Sequence, residues 1–135
     1  MSFVLSPKPC TKVHGNTQEF CDIKMHEFTI KTSKREEIVD ITENIKKVVS
    51  ESKEAKNGKI CFVYVPHASC AVIINENYDK NLCEDIQEAL RSTFPRGKWR
   101  HDKLDGNADS HIKASIIGPG KFIPLEKCQL KLGRW

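Results

Sequence analysis

Three of the five histidines stand where an imidazole can do chemistry. His67 lies in Pro66-His67-Ala68-Ser69-Cys70, directly after an apolar run that reads as a strand. A strand that stops there holds the ring rigidly while letting it face a cleft. Glu76 lies in Ile74-Asn75-Glu76-Asn77-Tyr78-Asp79, ahead of a helix, and a helix start offers unpaired N–H groups to an anion. His101 and His111 bracket a polar stretch that includes Asp102, Asp105, Asn107 and Asp109. Three neutral imidazoles with an open fourth place make the pattern of a catalytic zinc site, here His67, His101 and His111. His67 and His111 with Glu76 equally suit acid–base work without a metal. There is no H-E-x-x-H, so spacing does not choose between the two. His14 and His26 read as solvated. Asp102, Asp105 and Asp109 lack the D-x-D-x-D spacing and the Glu at position twelve of a calcium loop.

No two of the six cysteines, Cys10, Cys21, Cys61, Cys70, Cys83 and Cys128, have C-x-x-C spacing. The N-terminal stretch lacks the long apolar core of a secretory signal. Reduced thiols in a cytoplasmic protein are therefore expected. Cys61, within Ile60-Cys61-Phe62-Val63, reads as a small buried hydrophobe.

The charge balance narrows the partners. Twenty-two Lys and Arg against 18 Asp and Glu give a net charge of +4. That permits an anionic ligand, and no aromatic-interleaved basic stripe marks a nucleic-acid surface. No run approaches the roughly 18 apolar residues of a membrane span. With 135 residues, 39% of them hydrophobic and 30% charged, the chain suits one globular domain. About 70% of its unfolded surface can be buried on folding at that size.

The elements that must position these groups follow from periodicity. Residues 1–19, with Pro7, Pro9, Gly15 and Asn16, read as a flexible leader. Phe20 to Thr32 is spaced for a strand with one slip in its alternation. Ile38, Ile41, Ile45, Val48, Val49 and Ser52 recur at helical spacing. Two starts compete for that helix, a Ser33-x-x-Glu36 capping box and an Asp40 cap. Lys59 to Val65 reads as a strand buried on both faces, with Cys70 to Ile74 as its partner. Asp79 to Arg91 reads as a second helix, and residues 96–110 as a polar loop. Ile112–Ile117, Phe122–Leu125 and Gln129–Leu132 read as strands, with a turn at Gly118-Pro119-Gly120. The predicted class is α+β, with a mixed or antiparallel sheet against two main helices. Ending on a strand leaves a sheet edge for another subunit to cover.

At the same polar segments the chain resembles a known family. Val65 to Asn77 resembles the H-T-T-A-A-V-x-I-N-E-N signature of the YjbQ-like family. Asp105 to Ser115 is similar to its D-G-N-A-x-A-H-I-K-A-S, and Leu130 to Trp135 to its L-x-L-G-T-W. Asp40-Ile41-Thr42 also matches, which favours the Asp40 start. The resemblance covers about residues 20 to 135, the span of the expected single domain. Members are often described as secondary thiamine-phosphate synthases or as uncharacterised.

The resemblance implies a homotrimer of α+β subunits with the histidine segments in a cleft near a subunit boundary. Zinc or a phosphate-like anion is implied in that cleft, and a small phosphorylated metabolite as substrate. Carried over by position, His67, Glu76, His101 and His111 occupy the family's polar motif positions, and Ser69, Asn75, Asn77, Asn107, Lys113 and Ser115 become ligand-binding positions. The implied reaction joins a pyrimidine pyrophosphate to a thiazole phosphate. Its alternatives are a metal-dependent hydrolase and a non-enzymatic ligand-binding trimer. The family pattern continues past the Trp into a final strand, whereas this sequence stops at Trp135 and has Arg134 where Thr is usual. The expectation is a domain lacking that strand.

Overall fold

Strand β1 (Ile60–Tyr64) pairs antiparallel with β2 (Gly120–Glu126), which turns back into β3 (Gln129–Leu130). These belong to a computed structural model of the chain, which describes residues 25–57 and 59–134. Ahead of the sheet runs α1 (Thr42–Glu51). The long connection from β1 to β2 carries α2 (Lys80–Thr93) and α3 (Ala108–Ile117). Short 3-10 turns lie at Glu54–Lys56 and Arg100–Lys103. The expected leader, residues 1–19, lies outside the described residues. Among the described residues no helix is long and apolar enough to cross a membrane.

The core sits between α1 and one face of the sheet. Ile45 and Val49 are buried with Ala55, and Phe28, Ile41, Cys61, Val63, Leu125, Cys128 and Leu130 pack against them. The spacing of Ile41, Ile45, Val48 and Val49 puts an apolar stripe on α1, as amphipathic periodicity requires. Of the two competing starts, the helix begins just after Asp40: Ile41 holds the N-cap position without a side-chain cap, and Asp40 Oδ1 accepts the Thr42 N–H at 2.8 Å. Ser33 instead donates its N–H to Glu37 Oε1. Asp79 caps α2 by accepting from the Asn81 N–H at 2.9 Å.

Several expected elements take another form. Ile112–Ile117 is the end of helix α3 and not a strand, and the expected 96–110 loop holds a 3-10 turn and the first turn of that helix. Asp109 and Lys113 pair at i, i+4 along it, and a helix brings residues at that interval within reach of each other where a strand sets them about 13 Å apart. The helices therefore number three among the described residues. Cys70–Ile74 forms no strand, and its main-chain link to the sheet region is the Val72 N–H bond to Gly118 O. The described part of the expected first strand, residues 25–32, has no ladder either.

The β1 run is not buried on both faces. Cys61 and Val63 face the core, while Ile60, Phe62 and Tyr64 stand exposed on the other side with Phe122. Phe62 and Phe122 are register partners, stacked at 4.5 Å between centroids.

Gly120 is where the two paired strands come closest. A Cβ there would lie 2.8 Å from the Phe62 ring and 2.9 Å from Val63 O. Backbone oxygen cannot move aside without breaking the ladder. Gly120→Ala is predicted to cost about 1–3 kcal/mol, the usual penalty of overpacking. Urea unfolding measures it, and an unchanged midpoint would remove the steric account.

Candidate functional site

One carboxylate organises the approach of two histidines. Asp102 accepts the Trp99 N–H at Oδ2 (3.0 Å) and the Ala108 N–H at Oδ1 (3.1 Å). It thus closes the 3-10 turn and caps α3 with the same side chain. Trp99 is held from its other end by its indole N–H, which donates to Pro95 O at 2.7 Å. His101, inside that turn, is thereby set beside His111 on the first turns of α3. Their ring centroids lie 5.3 Å apart, edge toward face. His101 Nε2 lies 3.9 Å from Asp105 Oδ2.

The third segment arrives through the 65–72 loop. Val65 N–H donates to Pro119 O and Val72 N–H to Gly118 O. The loop is stitched at both ends to the turn that ends α3. Gly118 takes φ +91 there, a backbone state that side chains disfavour. Between those bonds, Ala68 O lies 3.1 Å from His111 Nδ1. A carbonyl only accepts, so Nδ1 carries the proton and Nε2 keeps a lone pair.

His67 has the opposite tautomer. Its Nδ1 lies 3.2 Å from Ser69 N and 2.9 Å from Ser69 Oγ. A main-chain N–H only donates, so Nδ1 is the acceptor and the ring proton sits on Nε2.

The other sequence-chosen residues scatter. Among the described residues Glu76 shares no hydrogen bond or ion pair with a histidine, and its N–H donates to Asn75 Oδ1. Asn77 ties its loop to Asp40. Ser115 returns a hydrogen bond to His111 O within the helix. Asn107 precedes α3 with its Oδ1 buried and without a hydrogen-bond partner among the described residues. Lys113 is 12% exposed and faces the interior, away from His111 on the helix.

Lys113 belongs to a charge network that sequence reasoning missed. Asp109, 1% exposed, accepts from Arg35 at 2.7 Å and from Lys113 at 3.0 Å. Lys113 also meets Glu36 at 2.5 Å, and Glu36 meets Arg91 at 2.8 Å. The signal lay in the i, i+4 spacing of Asp109 and Lys113, hidden by reading that stretch as loop and strand. Burial alone would raise the Asp109 carboxyl. The hydrogen bonds and charges of Arg35 and Lys113 outweigh it and hold the group at about 2, against 3.8 ordinarily. Glu36 is likewise lowered: burial opposes, and Lys113 and Arg91 prevail.

A cavity of about 320 Å³ lies between the 32–41 segment, the 69–73 segment, α2 and α3. Ser69, Ser110 and Lys113 line it, but none of the histidines does. A second cavity, of about 260 Å³, lies between α1, the 26–32 segment and β1. Cys70 lines both, and burial pushes its thiol upward. Among the described residues no group of three or more His, Cys, Asp or Glu side chains is gathered for a metal.

A small α+β domain with an antiparallel sheet and two to three imidazoles at the joint of a loop, a turn and a helix is the class so defined. The family model for the UPF0047 protein YjbQ-like proteins matches residues 26–135, and this chain belongs to that family. A UPF0047 protein of Archaeoglobus fulgidus is 43% identical over 110 residues, covering 81% of this chain and 82% of its own. The crystal structure of an uncharacterised YjbQ/UPF0047 protein from Clostridium acetobutylicum is 37% identical with a TM-score of 0.73, covering 80% of this chain and 81% of that one. A protein of unknown function from Sulfolobus solfataricus superposes with the same TM-score at 29% identity, over 78% of this chain and 75% of its own.

Asp109 sets a pH dependence. Its folded carboxyl is depressed below the unfolded value, near 3.9. Its contribution is therefore complete above about pH 4 and is lost as pH falls toward about 2, in total about 2 kcal/mol. Asp109→Asn is expected to flatten acid unfolding across that window. It is also expected to lower neutral-pH stability by about 3 kcal/mol, because Arg35 and Lys113 lose a buried partner. Denaturant melts of both proteins at several pH values check this, and parallel pH curves would exclude the account.

Proposed function

We propose that the chain binds a small phosphorylated metabolite at the joint of the 66–70 loop, the 100–105 turn and α3, with a divalent metal such as zinc held by His101 and His111. The supporting observation is the His101–His111 pair. Two imidazoles on one tetrahedral zinc have centroids roughly 5 Å apart, since zinc–nitrogen bonds are about 2 Å. The pair stands at 5.3 Å. His111 also has the orientation a ligand needs, with Nδ1–H on a carbonyl and a lone pair on Nε2. His67, the third imidazole, has Nδ1 engaged by Ser69 and enters the donor set only by turning its ring.

A metal there supplies charge neutralisation to a phosphate or pyrophosphate. The enzymatic form of this proposal is the thiamine-phosphate synthase-type transfer that the family resemblance implies, in which pyrophosphate leaves. His67 is the nearby group to accept a proton. Glu76 would need its loop to shift before it could act as base. The four described cysteines are free thiols, which suits a reducing, cytoplasmic setting.

The same proposal includes a homotrimer. The exposed face of Ile60, Phe62, Tyr64 and Phe122 is a contiguous apolar patch, and such patches mark protein contacts. Light scattering is expected to give three chains per particle, and Phe122→Lys to lower that number. A monomer at micromolar concentration would count against assembly.

The metal site has its own test. Purified protein is expected to hold zinc in proportion to chain. His111→Ala should lose the metal, and pyrophosphate release from a pyrimidine pyrophosphate and thiazole phosphate pair, with stability within about 0.5 kcal/mol of the parent. A lowered melting temperature with unchanged metal content would make His111 a loop-ordering residue instead.

A further inference from the structure

We infer that Ser69 and His67 form a nucleophile–base pair that opens on the cavity beside α2 and α3 and accepts the acyl group of a small ester. The pair stands on its own geometry and does not rest on a metal. Ser69 N–H fixes Nδ1 of His67 as an acceptor, and Ser69 Oγ lies 2.9 Å from that same nitrogen. The hydroxyl hydrogen therefore points to a ring nitrogen able to take it, the arrangement that activates a serine. The two ring nitrogens exchange their roles relative to a Ser-His-Asp triad, because here Nδ1 faces the hydroxyl. Both residues are half-buried, and the loop carrying them is pinned by main-chain bonds at Val65 and Val72. A pinned loop keeps the nucleophile in one geometry.

Ser69 is part of the lining of the 320 Å³ cavity, whose walls include Val72, Ile73, Ile86, Leu90, Ala114 and Ile117. That volume and that lining fit a short apolar acyl chain. The same lining carries Lys34, Arg35 and Lys113 together with Glu36 and Glu37, and Arg35 and Lys113 are held by Asp109 and Glu36. Next to Ser69 in the chain, the Cys70 thiol is free and half-buried. Burial keeps that thiol above its ordinary pKa, so Cys70 does not compete as a thiolate.

Ser69 Oγ forms a bond to the ester carbonyl carbon, and its proton passes to His67 Nδ1. The carbon–oxygen bond to the alcohol breaks, and the alcohol oxygen leaves with the electron pair and takes the proton from His67. Water then attacks the acyl-serine, giving its proton to His67, and the acid departs as Ser69 regains its hydrogen.

A fluorophosphonate probe tests the pair directly, because phosphorus takes the place of the acyl carbon and fluoride leaves. The full chain is incubated with the probe in the presence of a chelator, then mapped by peptide mass spectrometry. One phosphonyl group on Ser69 is expected, absent in Ser69→Ala and at least 100-fold slower in His67→Gln. Circular dichroism melts confirm that each variant is folded. Hydrolysis of a short p-nitrophenyl ester should show a burst in the parent and none in Ser69→Ala. An unlabelled Ser69 in the folded parent chain would overturn the inference, as would equal labelling in folded His67→Gln. Because the chelator is present throughout, this result is independent of the zinc measurement.

Discussion

The fully buried carboxylate of Asp109 decides how the site-bearing half of this molecule is held. Its partners reach it from two directions, Arg35 from the segment before α1 and Lys113 from one turn along α3. Glu36 extends the network through Lys113 to Arg91 on α2. The apolar core does not do this work, since its cluster lies under α1 and the sheet. Helix α2 has no buried residue at all. An exposed ion pair is worth about 0–1 kcal/mol, whereas breaking a buried one costs about 3–5 kcal/mol. The Arg91–Glu36 pair is thus the weak member and the Asp109 contacts the strong ones. In that order α2 belongs to the less stable end of the structure, and α3 is the fixed element that carries His111.

Main-chain groups sort two of the three imidazoles. His111 meets a carbonyl, which forces a proton onto Nδ1. His67 meets an amide N–H, which forces it off Nδ1. Both constraints come from the single loop 66–70, so two rings of one residue type acquire opposite donor patterns without any shift in charge. His101 has no such main-chain anchor and is placed by the turn that Asp102 closes. A change in the path of residues 65–72 would alter both tautomers together.

Sequence reasoning reached the parts of this fold that local chemistry dictates. Asp79 caps α2 as its position suggests, α1 starts just after Asp40, and Ile45 and Val49 are core as their spacing requires. It failed where the deciding contact is distant in sequence. Ile112 to Ile117 contains Ile and Ser at intervals a strand tolerates, and only the contacts of Asp109 and Lys113 with Arg35 and Glu36 show why a helix wins. Val72 and Ile73 look like a strand, yet their segment lines a cavity beside α2 and α3. The polar segments of His67, His101 and His111 were legible, and the structure brings them to one joint. Glu76 was legible only as a residue type, and its neighbour Asn77 ties that segment to Asp40.

The exposed face of the sheet is tied to this joint by one ring. Phe62 stacks on Phe122 on the outer side and sits against Gly120, where there is no room for a methyl group. Gly120 follows directly on Gly118 and Pro119, whose carbonyls hold the loop of His67 and Ser69. An apolar surface that covers Phe62 and Phe122 therefore presses on the residue whose position sets the turn. Close-packed interiors pass such displacements on, since no void absorbs them. The β1 run, apolar at every position from Ile60 to Val65, suits two covered faces. Among the described residues it receives only one. Phe62 and Gly120 are thus the point where the exposed face of the sheet meets the turn that holds the loop.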